Sequence, residues 1–254
     1  MITPLIRSFK VKLRQGAVKG PFSKTEDPAM IETMGYAGFD FVILDMEHGP
    51  NTIRSLQGLI RAAQLAGIFP VVRIKENHFG LAAEALDIGA GGIQVPQVTT
   101  AEAARSVIRA TRYAPEGNRG ICRFVRAADY SAVDRFRYFK EANEAIIILQ
   151  LEGSEAIQNL DEILQVEGID VLFIGPYDLS QSLGVPGQID HPKVVSAMSH
   201  IIQKCSEKNV AAGTFVDTVE NAHRWKQSGV RYIAYSVDTG LMYEKCKEII
   251  KAIG

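Results

Sequence analysis

Cysteine is scarce and scattered: Cys122, Cys205 and Cys246 stand far apart and form no CxxC pair. That excludes a disulfide framework and a zinc ribbon, and it fits a reducing, cytoplasmic setting. No apolar run is long enough to span a bilayer. The first residues carry Arg7, Lys10, Lys12 and Arg14 among apolar ones, so the uninterrupted core of a secretory signal is missing. Neither sign of charge is in excess, with 28 Lys and Arg against 29 Asp and Glu. Without a basic stripe, a nucleic-acid or membrane-surface partner is not expected. No GxGxxG follows the first candidate strand, which weakens a dinucleotide-binding sheet. Low-complexity segments and internal repeats are absent beyond a βα rhythm.

What is present is a chain of 254 residues with 46% apolar content and a mean hydropathy near zero, enough for a substantial core. Short β-type runs fall at 17–22, 39–44, 69–74, 92–95, 145–151, 168–174, 210–215 and 232–236. Amphipathic stretches separate them, such as Leu56, Leu59, Ile60 and Ala63 at helical spacing. Glycines at 38, 67, 89 and 229 close several of these stretches just before the next strand, as helix C-termini prefer. Eight strand–helix units without a composition break predict one α/β domain over 1–254, a single (β/α)8 TIM barrel. A doubly wound open sheet is the alternative. The longest interruption, about 111–144, reads as a βα insertion over the barrel mouth.

In such barrels chemistry sits at the C-terminal strand ends. Those ends carry Asp45, Glu47 and His48 after the second strand, Arg73 after the third and Gln94 after the fourth. The fifth ends in Gln150 and Glu152, and the sixth in Gly175-Pro176-Tyr177-Asp178. Each has a bland reading alone: an Asp that caps the next helix, a surface Arg, a structural His. Convergence from five strands is hard to assign to structure, because desolvating such groups is costly unless they are paired or bound. Glu152 and Asp178 are hard oxygen donors suited to Mg²⁺ or Mn²⁺, with Co²⁺ possible, the shell filled by water and substrate oxygens. Asp45 can orient the His48 imidazole as a general base. Arg73 can stabilise a developing oxyanion. Backbone N–H groups at the start of the helix after Gly175 and Pro176 can hold a carboxylate. Lys75 is a lesser candidate, for a Schiff base.

These motifs resemble those of the metal-dependent (class II) pyruvate aldolases of the HpcH/HpaI superfamily, which include 4-hydroxy-2-oxoheptanedioate, 2-keto-3-deoxy-L-rhamnonate and 2-dehydro-3-deoxyglucarate aldolases. The matching stretches are Gly38 through Asn51, Val72-Arg73, Ala85 through Pro96, Tyr113 with Pro115 through Gly120, Gln150 through Glu152, and Phe173 through Ser180. The resemblance implies an aldehyde-lyase that cleaves or forms 4-hydroxy-2-oxoacids through a pyruvate enolate formed at the metal. It implies Glu152 and Asp178 as metal ligands and His48, supported by Asp45, as base through a metal water. Arg73 would face the keto or aldol oxygen, with Gln150 behind the ligands. The N–H groups of Tyr177 and Asp178 would hold the pyruvate carboxylate. The partners are pyruvate and an aldehyde. The resemblance also implies a homo-oligomer, a hexamer or trimer of dimers, built by exchanging the C-terminal helix near 242–253.

Two departures bear on the acceptor. Ile121 through Arg126 replaces a run that is small in many relatives, and Tyr177 stands where Ala is usual. Arg123 and Arg126 are therefore expected over the mouth, where they would favour an anionic acceptor. Two other functions compete. One is a transferase that condenses an enolate with a second keto acid, as citrate-forming members do, and CoA release would distinguish it. The other is a binding barrel without catalysis, which needs no base.

Overall fold

The computed structural model describes residues 2–75 and 78–254. Eight parallel strands close into a barrel in sequence order: β1 (Val18–Ser23), β2 (Phe41–Asp45), β3 (Phe69–Arg73), β4 (Gly92–Val95), β5 (Ile146–Leu151), β6 (Val171–Ile174), β7 (Ala211–Val216) and β8 (Tyr232–Val237). The helices are α1 (Thr3–Gln15), α2 (Pro28–Tyr36), α3 (Ile53–Leu65), α4 (Phe79–Asp87), α5 (Ala101–Thr111), α6 (Arg135–Ala142), α7 (Ser154–Gln158), α8 (Leu160–Ile163), α9 (Pro176–Ser182), α10 (Pro192–Glu207), α11 (Val219–Gln227) and α12 (Asp238–Ile253). Among the described residues no helix is long and apolar enough to cross a membrane.

Strand period sorts the core into two layers. Val42, Leu44, Val72 and Ile93 face outward and pack with helical residues such as Leu59, Ile60, Ala85 and Ala104. Phe41, Ile43, Phe69, Val71, Ile146, Ile148, Val171, Phe173 and Tyr232 face inward and fill the barrel. Backbone approach is close here: a Cβ on Gly20 of β1 would lie 1.9 Å from the Phe41 carbonyl oxygen, so only glycine fits. The bottom is plugged by α1, which the βα rhythm does not announce. Its Ile6, Phe9 and Leu13 are buried, and Phe9 stacks on Phe69 at 4.1 Å between ring centroids.

The inward positions turn polar toward the top. The registers Phe41↔Phe69 and Asp45↔Arg73, then Arg73↔Gln94, put Asp45, Arg73 and Gln94 in one layer at the strand ends. The excursion after α5 does not belong to that end. It follows a helix, so it is an αβ connection at the end where strands begin, and the expectation of a βα insertion over the mouth is corrected. Its contacts agree: Arg119 pairs with Asp87, the last residue of α4, at 2.5 Å, and Arg126 donates to Gln64 of α3 at 2.6 Å.

The last helix stands apart from this packing. α12 touches mainly the ends of β1 and β8 and buries only Asp238. Met242, Tyr243, Ile249, Ile250 and Ile253 are exposed.

Candidate active site

Asp45 is the anchor of the mouth. Its carboxylate is fully buried and accepts from Arg73 Nε at 2.8 Å and Nη2 at 2.7 Å. The backbone N–H groups of Glu47 and His48 donate to the same carboxylate at 3.0 and 3.4 Å. Burial pushes its pKa up, but the hydrogen bonds and charge of Arg73, with the two backbone donors, outweigh burial and hold it below the ordinary carboxylate range. This bidentate fork fixes the guanidinium plane, and the ring of Phe22 lies 4.6 Å beneath it. The remaining nitrogen, Nη1, is 3.0 Å from Glu47 Oε2.

The arrangement corrects the expected Asp45–His48 pairing. The Asp45 carboxylate engages Arg73 and only the backbone of His48. The imidazole is 62% exposed, with Nε2 3.9 Å from Glu47 Oε2. Three residues of turn carry His48 up and out of the barrel, whereas period two carries Asp45 inward toward Arg73.

Across the mouth, Glu152 and Asp178 approach one another over Gly175. A Cβ built there would lie 3.3 Å from Glu152 Oε1 and 3.5 Å from Asp178 Oδ2, so glycine leaves the gap between the carboxylates clear. Burial, with the charges of Asp178 and Glu47 against a hydrogen bond from Gln150 and the charge of Arg73, pushes the Glu152 pKa up to about 7. Burial likewise raises Glu47 despite Arg73 and His48. Such an excess of buried negative charge suits a divalent cation. Among the described residues no three His, Cys, Asp or Glu side chains converge to hold a metal alone. Two carboxylates with water and substrate oxygens are the donor set that fits. Gln150 donates to Glu152 Oε1 and accepts from Gln94 at 2.5 Å, so the two glutamines orient Glu152 from behind.

A pocket of about 200 Å³ opens beside these groups. It is lined by His48, Arg73, Gln150, Pro176, Tyr177 and Asp178, with Lys24 and the apolar Phe22, Phe173, Phe215 and Val237. Gly175 is the N-cap of α9, and no side chain caps that helix. Tyr177 donates its hydroxyl to Asp217 at 2.5 Å; that bond and partial burial push its pKa up to about 12. Lys75 is exposed and does not line the pocket.

Arg123 and Arg126 are not at this mouth. Arg126 donates to Gln64 and to the Ile88 carbonyl, at helix C-termini on the opposite face of the barrel. Arg123 is exposed in the same excursion, over the ring of Phe124. The expectation erred because α5 starts soon after β4, which turns the insertion to the other face. Sequence reasoning also missed two residues. Lys24 has a legible signal: it shares the inward parity of Phe22, one step beyond β1. Asp238 has none, since its partners Ser23 and Thr25 lie at the other end of the chain.

Residues 19–244 match the model of the HpcH/HpaI aldolase/citrate lyase family. The 2-keto-3-deoxy-L-rhamnonate aldolase of Salmonella gallinarum (strain 287/91 / NCTC 13346) is 39% identical over 243 residues, covering 94% of this chain and 90% of the relative. The crystal structure of an HpcH/HpaI aldolase/citrate lyase family protein from Burkholderia cenocepacia J2315 superposes with a TM-score of 0.92 at 30% identity, over 97% and 98% of the two chains. The citrate synthase SbnG structure superposes with a TM-score of 0.86 at 31% identity, over 96% of each chain. Matched along nearly its whole length in both sequence and backbone, this chain belongs to the HpcH/HpaI aldolase/citrate lyase family.

Proposed function

We propose that this protein is a metal-dependent class II pyruvate aldolase, cleaving or forming 4-hydroxy-2-oxoacids at the barrel mouth, with pyruvate and an aldehyde as partners. The observation that carries the reading is a clamped guanidinium, Arg73, lining one pocket with Asp178, whose carboxylate shares the cleared space over Gly175 with Glu152. Glu152 and Asp178 are the residues that would hold Mg²⁺ or Mn²⁺, which supplies Lewis acidity toward the oxygens of a bound 2-oxoacid. Arg73, immobilised by Asp45, offers a fixed donor to oxygen that gains charge as the C3–C4 bond breaks, without reorganising. His48 is the base. In cleavage it accepts the proton of the 4-hydroxyl, the C3–C4 electron pair passes toward the keto group, and a proton then returns to C3. The uncapped start of α9 offers the N–H groups of Tyr177 and Asp178 to the 2-oxoacid carboxylate. Phe22, Phe173 and Phe215 exclude water from the reacting carbons.

The apolar face of α12 needs a cover, and exchange of this helix between subunits of a homo-oligomer supplies one. The likeness to citrate synthase SbnG favours one second reading, an enolate-condensing transferase. Release of CoA, rather than steady release of pyruvate from a 4-hydroxy-2-oxoacid, would select it.

The test is exchange of the pyruvate methyl protons in D₂O. Wild type is expected to exchange with Mg²⁺ or Mn²⁺ and to stop in excess chelator. The His48→Ala variant should exchange about 10² to 10⁴ times more slowly, with unchanged stability. Exchange in full chelator, or wild-type exchange by the His48 variant, would contradict the assignment.

A further inference from the structure

We propose that Lys24 selects the acceptor: its ammonium receives an anionic group, a carboxylate above all, at the end of the substrate remote from the 2-oxoacid. This rests on the aldol reading above and adds the chemical class of the aldehyde.

The first observation is position. β1 and β2 pair with Ser23 opposite Leu44, so the next step sets Lys24 beside Asp45, and its Nζ lies 3.9 Å from Asp45 Oδ2. In a closed barrel of eight strands in sequence order, β1 stands across the mouth from β5, whose end carries Glu152. A 2-oxoacid held at Glu152 and Asp178 therefore extends its far end toward β1, where Lys24 lines the pocket.

The second observation is commitment. Arg73, the other Lys or Arg lining this pocket, spends Nε and Nη2 on Asp45 and turns Nη1 to Glu47. The Asp45 oxygen nearest Lys24 already accepts from Arg73 Nη2 at 2.7 Å. At 3.9 Å the ammonium feels that charge without a hydrogen bond, so its donors are available to a ligand. The pocket it lines also carries Phe22, Phe215 and Val237, and a charged ligand end among apolar walls needs a counter-charge.

The third observation is anchorage. Asp238, at the start of α12, accepts from Ser23 Oγ at 2.8 Å, Lys24 N at 3.0 Å, Thr25 N at 3.0 Å and Thr25 Oγ1 at 2.8 Å. One buried carboxylate thus fixes the backbone of Lys24, while its side chain, 32% exposed, keeps freedom to meet a ligand.

The experiment uses the full chain with Mn²⁺ and pyruvate. It compares 4-oxobutanoate with butanal, a pair of similar length that differs by the terminal carboxylate. Lys24→Met should raise KM for 4-oxobutanoate about 10- to 100-fold, the range of one charge-assisted hydrogen bond. Butanal turnover and pyruvate proton exchange should stay within about 3-fold. Lys24→Arg, which keeps the charge, should recover most of the loss. An equal loss for both aldehydes, an unchanged KM, or loss of proton exchange in Lys24→Met overturns the assignment of Lys24 and leaves the aldolase reading standing. If wild type fails to exchange pyruvate protons at all, the aldolase reading falls and this inference falls with it.

Discussion

Asp45 and His48 lie three residues apart, yet the structure gives them opposite physical characters. Asp45 is 0% exposed and saturated by Arg73 and two backbone donors. His48 reaches solvent and is 62% exposed. Removing a partner from a buried ion pair leaves an uncompensated charge, which costs about 3–5 kcal/mol. Asp45→Ala is therefore expected to lower the urea unfolding free energy by that amount and to abolish turnover through a disordered Arg73. His48→Ala should leave stability within about 0.5 kcal/mol, the usual bound for exposed positions, while removing the proposed base. Equilibrium unfolding of both variants checks this contrast, and comparable destabilisation by the two would disprove it. A sequence shows that Asp45, His48 and Arg73 crowd the strand ends. It does not show which pair bonds, because that depends on the turn after Asp45 and on the register with β3.

Strands and helices contribute to the site through their ends. The end of β1 is held by the first residue of α12, from the far side of the chain. Burial pushes the Asp238 pKa up, but donors from the Thr25 backbone and hydroxyl, the Ser23 hydroxyl and Lys24 N–H outweigh it and hold the carboxyl below its ordinary value. A depressed folded pKa contributes stability above the unfolded value, near 3.8, and loses it as pH falls through the folded value. Replacing Asp238 by Asn should cost about 1–3 kcal/mol, as for a buried charge with hydrogen bonds. That penalty should be constant from about pH 8 to 5 and shrink below about pH 4. Urea titrations of both proteins across that range measure it, and a penalty that grows on acidification would refute the sign. Since inward and outward positions alternate cleanly, the strands themselves were legible to within two residues, except that β6 starts three residues later than expected, at Val171. The excursion after α5 was not. Its length is visible in sequence, but which face it covers depends on α5 coming first.

For the molecule as a whole, α12 is the feature that a lone barrel leaves unsatisfied. A terminal helix exposing Tyr243, Ile249, Ile250 and Ile253 presents an apolar face that water does not tolerate cheaply. Under the proposed exchange of this helix, a second copy of the chain covers that face. Light scattering should find a multimer for the wild type. It should find a smaller species for the double variant Ile250→Asp and Ile253→Asp, because burying two carboxylates in an apolar contact is strongly unfavourable. A double variant of unchanged mass would show that this helix is not the contact.

Local periodicity and strand-end composition determined the barrel, and they pointed to its mouth as the proposed site, with Glu152, Asp178, His48 and Arg73 as its candidates. Those features are written in spacing, because an inward residue stays inward every second position and polar groups concentrate where strands meet solvent. Tertiary structure decided the partners: Asp45 with Arg73, Gln150 with Glu152, Asp238 with the end of β1. It also sent Arg126 to the opposite face and brought Lys24 into the pocket. Each of these depends on strand register, barrel closure or contacts between distant segments, so the choice lies in three-dimensional packing rather than in any local stretch of the chain.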